Sequence, residues 1–340
     1  MALAAVALVS CARPGAATTT AQPADINAAG PTISDVRTLL GDSNWWQGPP
    51  SFGVRPLDAS SLPDTVRFSL TQRFVHIGSA ELFDVTYTVY DKVSTATTQM
   101  NTMFTRYSAT SGNPKVGDQV LYLKTTNISG PAPYITHTFV RLGGVIVEID
   151  WARKDGMPSI PQMGRNASKV VDGLKKATGG KAHPSPLTVD QKLLPPPGLD
   201  ITFLGGTSLP VESWLMMNNA ALPMPALQVL QGDGVNDFLF GDYALNRDPH
   251  MEVQAALLTF SMPAGAAAWA GTFSTAQPDP TTGVASAYID ALGEYHYFLI
   301  SGVHGAMLVC KSATDGEAAS RACESPMDRT ALAWKISLGG

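Results

Sequence analysis

The sequence contains little charge, and no segment concentrates charge of one sign. Asp, Glu, Lys and Arg make up 15% of the 340 residues, and the formal net charge is −5. A protein that follows a phosphate backbone needs a patch of lysine and arginine, and the sequence has no such cluster. The composition therefore excludes nucleic acid from the expected partners.

Long apolar runs are also missing after the first residues. A membrane-spanning helix needs about 18 or more consecutive apolar residues, and no segment beyond residue 11 reaches that length. Hydrophobic residues nevertheless make up 44% of the chain, which suffices for packed cores. The length predicts two globular domains of ordinary size or one large domain.

Motifs of common catalytic sites are absent from the sequence as well. It has neither the G-x-S-x-G motif of many hydrolases nor the H-E-x-x-H motif of zinc proteases. The glycine pair Gly205-Gly206 lacks the following lysine and helix of a phosphate-binding loop. We therefore expect no enzyme activity, no catalytic residue, no cofactor and no metal site.

Two groups of polar residues nevertheless share a strand face. Glu294 and His296 alternate on one predicted hairpin that also carries His304, and Glu148 and Asp150 alternate on another strand. The first group is compatible with a metal site and the second with an acid–base pair. We interpret both as polar residues on solvated faces and keep the metal and acid–base sites as alternatives.

Cysteine is scarce, and the first of three cysteines ends an apolar N-terminal stretch. Residues 1–10 are mostly Ala, Val and Leu, as in the apolar part of a signal peptide. Leu8-Val9-Ser10-Cys11 resembles the lipobox of bacterial lipoproteins, which implies a diacylglyceryl group on Cys11 and cleavage after Ser10. Two acyl chains anchor a protein stably, whereas one binds only marginally. The alternative is a buried cysteine in a short apolar segment, since no Lys or Arg precedes the run.

The residues after Cys11 predict a flexible tether over 11–35. Residues 12–34 carry only Arg13 and Asp25 as charges and show no helical or strand periodicity. Such a tether would hold a folded body near a membrane surface.

The other two cysteines, Cys310 and Cys323, form a natural pair. If Cys11 is lipidated, an exported protein would oxidise the remaining two to a disulfide. Cys310 ends a predicted strand and Cys323 precedes the last predicted helix, so the bridge would fix that helix to the sheet. The alternative is two free thiols.

One order of features occurs twice along the chain. Each copy has an alternating strand followed by a segment with helical spacing, then a hairpin signal at glycine, then a closing helix. Short turns between strands predict mostly antiparallel sheets with helices packed on one face. We predict an α+β fold with repeat 1 at 36–182, a Pro-rich linker at 183–198 and repeat 2 at 199–340.

The second copy carries a resemblance to a known family. In 187–340, an acidic helix start, a strand followed by an Ala-rich helix, and a hairpin ending in Cys310 before a final helix resemble the extracellular sensor domains of mycobacterial Ser/Thr kinases and of lipoproteins with the same domain. The likeness is weaker in 32–180. The family usually has two bridges per domain, and this pattern is not reproduced. The resemblance implies an extracytoplasmic α+β domain with a shallow groove and no catalysis.

The segment 199–230 is unusually apolar and fits neither copy of the pattern. Its methionines, Met216, Met217 and Met224, provide adaptable apolar surface. We consider it a candidate wall of a groove or a docking surface, with Trp214 as the anchor. The alternative is that it covers the core of the second unit.

These patterns predict a lipoprotein anchored on the outer, extracytoplasmic side of the cell membrane. We expect a binding or interaction module for an apolar small ligand or a component of the cell envelope. The alternative is an accessory docking subunit of an envelope membrane complex. A closed apolar pocket would favour the ligand, and a flat apolar patch would favour the partner.

Overall fold

The computed structural model describes residues 23–52, 66–108, 112–127, 130–178, 191–198, 200–217, 224–248, 250–273, 277–289, 292–312 and 317–339. The predicted signal peptide, Cys11, residues 11–22 of the predicted tether and the predicted linker up to residue 190 lie outside these ranges. The rest of the segment predicted as a flexible tether contains the helix Pro23–Ala29, with Ile26 fully buried, and the start of the helix Ile33–Leu40. Within them, no helix is long and apolar enough to cross a membrane.

The first unit contains a sheet of seven strands and its helices. In chain order the elements are α1 (Pro23–Ala29), α2 (Ile33–Leu40), β1 (Trp45–Gln47), β2 (Ser51–Phe52), β3 (Val66–His76), β4 (Leu82–Tyr90), α3 (Val93–Arg106), β5 (Gln119–Thr126), β6 (Tyr134–Leu142), β7 (Val145–Arg153) and α4 (Ile160–Thr178).

The second unit also contains a sheet of seven strands, preceded by a 3-10 turn at Gln191–Leu193. A second such turn, Arg321–Cys323, precedes the last helix. The remaining elements are β8 (Ile201–Pro210), α5 (Val211–Met217), α6 (Met224–Gly232), β9 (Asp237–Leu245), β10 (Met251–Thr259), α7 (Pro263–Gly271), β11 (Gln277–Pro278), β12 (Ala285–Ile289), β13 (Glu294–Ser301), β14 (His304–Ser312) and α8 (Glu324–Ser337).

The two sheets have the same strand order. The first runs β1-β3-β4-β7-β6-β5, with β2 beside β3, and the second runs β8-β9-β10-β14-β13-β12-β11. All these neighbours are antiparallel. In the first unit α3 follows β4, and in the second unit α7 follows β10, which holds the equivalent place in the strand order. The helices α4 and α8 close the two units. The predicted α+β class with two tandem antiparallel sheets is confirmed.

Two tight hairpin turns set the register of the central strands. Gly143-Gly144 joins β6 to β7, with Leu142 opposite Val145, and Gly302-Val303 joins β13 to β14. Gly143 and Gly302 both have a φ of 57°, a left-handed conformation that favours glycine in two-residue turns. The glycine signals in the sequence therefore mark the places where each hairpin reverses.

The strands bury side chains on both faces, so helices lie on both faces as well. In β4, Val85 and Tyr87 point with the buried residues of α4 into one core. On the opposite face, Met100 of α3 packs on Phe139 and Ile146. This differs from the expectation of helices on one face. Phe139 and Ile146 are apolar side chains on the second face of the sheet. The helix α3 packs over them and shields them from water.

The second sheet follows the same arrangement. Trp334 of α8 packs in the cluster that contains Val253 and Leu308, while Trp269 of α7 packs with Met307 on the opposite face. The predicted disulfide is confirmed: Cys310 of β14 is bonded to Cys323, with their Cα atoms 6.1 Å apart. It joins the sheet to the start of α8.

Phe52 connects the two units. Its side chain is fully buried, and its ring lies against Gly205 of β8, where an added Cβ would stand 2.5 Å from the ring. Its backbone N–H donates a hydrogen bond of 2.6 Å to Oδ2 of Asp242 on β9. A second link runs from Ser213 Oγ of α5 to the carbonyl oxygen of Gln47, at 2.6 Å. The two units therefore share one core.

We expect Phe52→Ala to lower the free energy of unfolding by about 3–5 kcal/mol, because it leaves a cavity between the units. Chemical denaturation followed by tryptophan fluorescence measures the loss. Tyr134→Ala is the control, since Tyr134 is 37% exposed and surface changes typically cost within about 0.5 kcal/mol. Equal stabilities of the two variants would contradict the role of Phe52.

Candidate functional site

A row of charged side chains crosses the first sheet on the face opposite α4. Strand register places Asp84 of β4 opposite Asp150 of β7, and Asp150 opposite His137 of β6. Because strand side chains alternate, Glu148 lies on the same face as Asp150. Their neighbours Phe83 and Trp151 point to the other face and are buried.

We call this surface the polar face, and define it by Arg73, Asp84, Thr125, His137, Glu148 and Asp150. The side chains of its ionisable members keep between 18% and 44% of their surface exposed. They are thus held by the sheet but remain within reach of solvent.

Both ring nitrogens of His137 contact neighbouring side chains. Its Nδ1 lies 2.7 Å from Oδ1 of Asp150 and 4.0 Å from Oε1 of Glu148, and its Nε2 lies 2.9 Å from Oγ1 of Thr125. Burial alone would lower the pKa of His137, but the hydrogen bond to Asp150 and the negative charges of Asp150 and Glu148 outweigh it. The pKa of His137 is therefore raised above that of a free imidazole.

Arg73 binds the remaining carboxylate of the polar face. Its Nη2 is 3.0 Å and its Nε 3.2 Å from the carboxylate of Asp84. Like charges directly opposite each other on neighbouring strands are destabilising, and Arg73 offsets this repulsion between Asp84 and Asp150. The polar face as a whole keeps more carboxylates than guanidinium groups.

An aromatic edge borders the polar face. The ring of His137 stacks on Phe139 at 6.3 Å, and Tyr107 stacks on the same Phe139 at 6.3 Å. Tyr107 follows α3 and is 39% exposed. The outer side of α3 carries a shallow depression of about 450 Å³, lined by Thr98, Asn101, Thr102, Thr105 and Arg106. The depression is open to solvent, in contrast to the closed apolar pocket that would favour an apolar ligand.

The sequence-predicted binding residues lie elsewhere, at the second unit. Trp214 on α5 is only 5% exposed and packs edge-on against Trp269 at 6.0 Å and Phe273 at 6.4 Å. Met216 is half-buried. Met217 and Met224 lie in α5 and α6, and their side chains are outside the described part of the structure. The packing of Trp214 favours the covering role that the sequence left as an alternative.

Glu294 and His296 form a pair, as their spacing suggested, but they do not face water. His296 Nε2 lies 2.8 Å from Glu294 Oε2, and the two side chains are 1% and 8% exposed. The expectation of a solvated face is wrong here, because the pair shares its sheet face with Phe298 of the core. His304 lies on the opposite face by register and contacts Thr259 at 3.2 Å.

Sequence reasoning missed His137. Glu148 and Asp150 do share a strand face, but their partner is on the preceding strand. The signal was available, because a two-residue turn at Gly143-Gly144 fixes the pairing of the hairpin. Counting away from that turn in both directions brings His137 opposite Asp150, as observed.

Comparisons with known proteins give few matches. No protein-family model matches the chain, and no curated protein matches it. Among solved structures, the extracellular domain of PknH from Mycobacterium tuberculosis is similar, with a TM-score of 0.38 and 12% sequence identity. The likeness covers 47% of this chain and 100% of that one. The fold class rests on the strand pairing described above.

We expect Trp214→Ala to destabilise the fold by about 3–5 kcal/mol, since it empties a buried aromatic site. Thermal and chemical denaturation measure the change. Met262→Ser is the matched control, because Met262 is 63% exposed at the start of α7. An unchanged melting temperature for Trp214→Ala would show instead that this tryptophan is available for binding.

Proposed function

We propose that the chain is a lipid-anchored extracytoplasmic binding module, and that the polar face is its binding surface. The observation that carries the proposal is the polar face itself, a row of half-exposed charged side chains held in register beside an aromatic edge. A surface of this kind can orient a ligand by charge and hydrogen bonds while Tyr107 offers a ring for stacking.

Two features support an extracytoplasmic position. The Cys310–Cys323 disulfide is a bond that persists in oxidising compartments. The N-terminal Leu8-Val9-Ser10-Cys11 has the spacing of a lipobox. With a lipidated Cys11 the folded body would stand outside the membrane at the end of its tether.

The chemistry of the polar face favours a polar ligand over an apolar one. Its carboxylates suit a cation or a hydroxyl-rich component of the cell envelope, and Arg73 sets one positive charge beside them. We assign binding and no catalytic step to these residues, and the proposal requires no cofactor and no nucleic acid.

A second candidate function is docking within an envelope complex. Val229 of α6 and Met262 before α7 are 58% and 63% exposed, and the two segments are joined by a hydrogen bond from Ser261 N to the carbonyl oxygen of Asp233. Exposed apolar side chains at one end of the second unit could contact a partner protein.

The anchor is tested by Cys11→Ala. We expect the variant to leave the membrane fraction or to stay unprocessed, because the thioether to the diacylglyceryl group cannot form. Fractionation and mass spectrometry of the N-terminus give the readout. A mature wild-type chain that retains residues before Cys11 and carries no lipid would refute lipid anchoring.

The polar face is tested by copurification from native membranes after chemical cross-linking. We expect Tyr107→Ala to lose the envelope components that the wild type retains, because the aromatic edge is removed. Tyr134→Ala is the control, since Tyr134 is equally exposed but points to the other face of β6 by alternation. Loss with Met262→Ser and retention with Tyr107→Ala would support docking instead.

A further inference from the structure

Three side chains of the polar face bring different donor atoms together. The His137 imidazole, the Glu148 carboxylate and the Asp150 carboxylate each offer one atom, and these atoms all lie within 4.8 Å of one another. Two neighbouring strands supply them, β6 the nitrogen and β7 both oxygens. The set is therefore fixed by strand register rather than by a loop.

The spacing is close to that of a metal-ligand set. Donors around a tetrahedral ion with bonds of about 2.0–2.2 Å stand roughly 3.4 Å apart. The distances from His137 Nδ1 to Asp150 and Glu148, 2.7 Å and 4.0 Å, lie on either side of this value.

The residues around the triad also match what a metal site needs. Ligating histidines almost always bond their second nitrogen to a neighbouring group, which fixes the ring. Thr125 Oγ1 does this at 2.9 Å from His137 Nε2, and Phe139 stacks on the ring. Asp84, the next carboxylate in the row, is bound by Arg73 at 3.0 Å, and Glu148 and Asp150 supply the two carboxylate oxygens of the triad.

The donor types select the ion. Calcium and magnesium prefer sites made of oxygen alone, whereas an imidazole nitrogen with two carboxylates suits a first-row transition ion. The three side chains are 20%, 38% and 34% exposed, which leaves a fourth position open to solvent or to a ligand. Such a site exchanges its ion readily.

We propose that His137, Glu148 and Asp150 form a binding site for one divalent transition-metal ion, with Zn²⁺ as the probe. The ion would bind where the carboxylates converge on Nδ1 of His137, with Thr125 as a positioning residue. The inference rests on the proposed function in that it names a ligand class for the polar face.

The test is calorimetric titration of the full chain with ZnCl₂, with CaCl₂ as the comparison ion. All proteins carry Cys11→Ala, because a free thiol would itself bind Zn²⁺. We expect one Zn²⁺ per chain and a Kd at least 10-fold weaker for Asp150→Asn and for His137→Gln. Thr125→Val keeps all three ligands and should weaken binding about 10-fold.

His76→Gln is the matched control. His76 Nε2 lies 3.0 Å from Oδ2 of Asp42, so it has a comparable histidine–carboxylate pair, and its Nδ1 bonds Ser79 rather than a second carboxylate. We expect this variant to bind Zn²⁺ like the wild type. Circular dichroism checks that each variant is folded. If a variant is unstable, the absorption spectrum of Co²⁺ bound to the chain with the three residues intact reports the types of ligand that hold the ion.

Three outcomes would overturn the proposal: no stoichiometric Zn²⁺ binding by the wild type, unchanged affinity in Asp150→Asn and His137→Gln, or a preference for Ca²⁺ over Zn²⁺. The proposed function fails separately, because the envelope experiment uses Tyr107→Ala, which leaves the triad intact. Zn²⁺ binding without a Tyr107-dependent envelope component would retain the metal site and reject the larger binding surface.

Discussion

The contact of Phe52 with Gly205 is the constraint on which the arrangement of the two units depends. The ring needs a position without a side chain on β8, and the buried carboxylate of Asp242 needs a donor, which the Phe52 N–H provides. Phe52 lies on the same face of the first sheet as Tyr87, by the pairing of Leu70 with both. That face is therefore covered by α4 and the second unit, and the polar face lies on the other side of the first sheet.

The two units share one strand order but differ in what covers the equivalent face of each sheet. Counted back from the last residue before each hairpin turn, His137 and His296 occupy the same place on equivalent strands. In the second unit this face receives Phe52, and His296 is buried with Glu294. In the first unit the equivalent face stays half-exposed, and His137 contacts Asp150. The Glu294–His296 pair is therefore part of a core, and the His137–Asp150 pair is the one we propose for binding.

Periodicity and turn glycines predicted the class of fold, because alternation and two-residue hairpins are local properties of the chain. The face that a helix covers is not local. The spacing of Met100 in α3 indicates a buried stripe without saying that it meets Phe139 rather than the α4 side of the sheet. Trp214 shows the same limit, since an exposed anchor and a cover for Trp269 have the same apolar pattern. The Cys310–Cys323 pair followed from three cysteines in a chain expected to be exported, with Cys11 set aside for the lipid.

The polar face could have been predicted from the sequence if the pairing of β6 with β7 had also been worked out. Glu148 and Asp150 are readable as neighbours on a face, but their partner emerges only when the hairpin register is counted from Gly143-Gly144. In the folded chain that partner is His137, whose Nδ1 lies 2.7 Å from Asp150 Oδ1, and the negative charges of both carboxylates contribute to its raised pKa. Binding of an ion at a fully buried pair such as Glu294 and His296 would require desolvation of the ion and of both side chains. The half-exposed triad avoids most of that cost, which is the physical reason for proposing the ion at the triad and not at the buried pair.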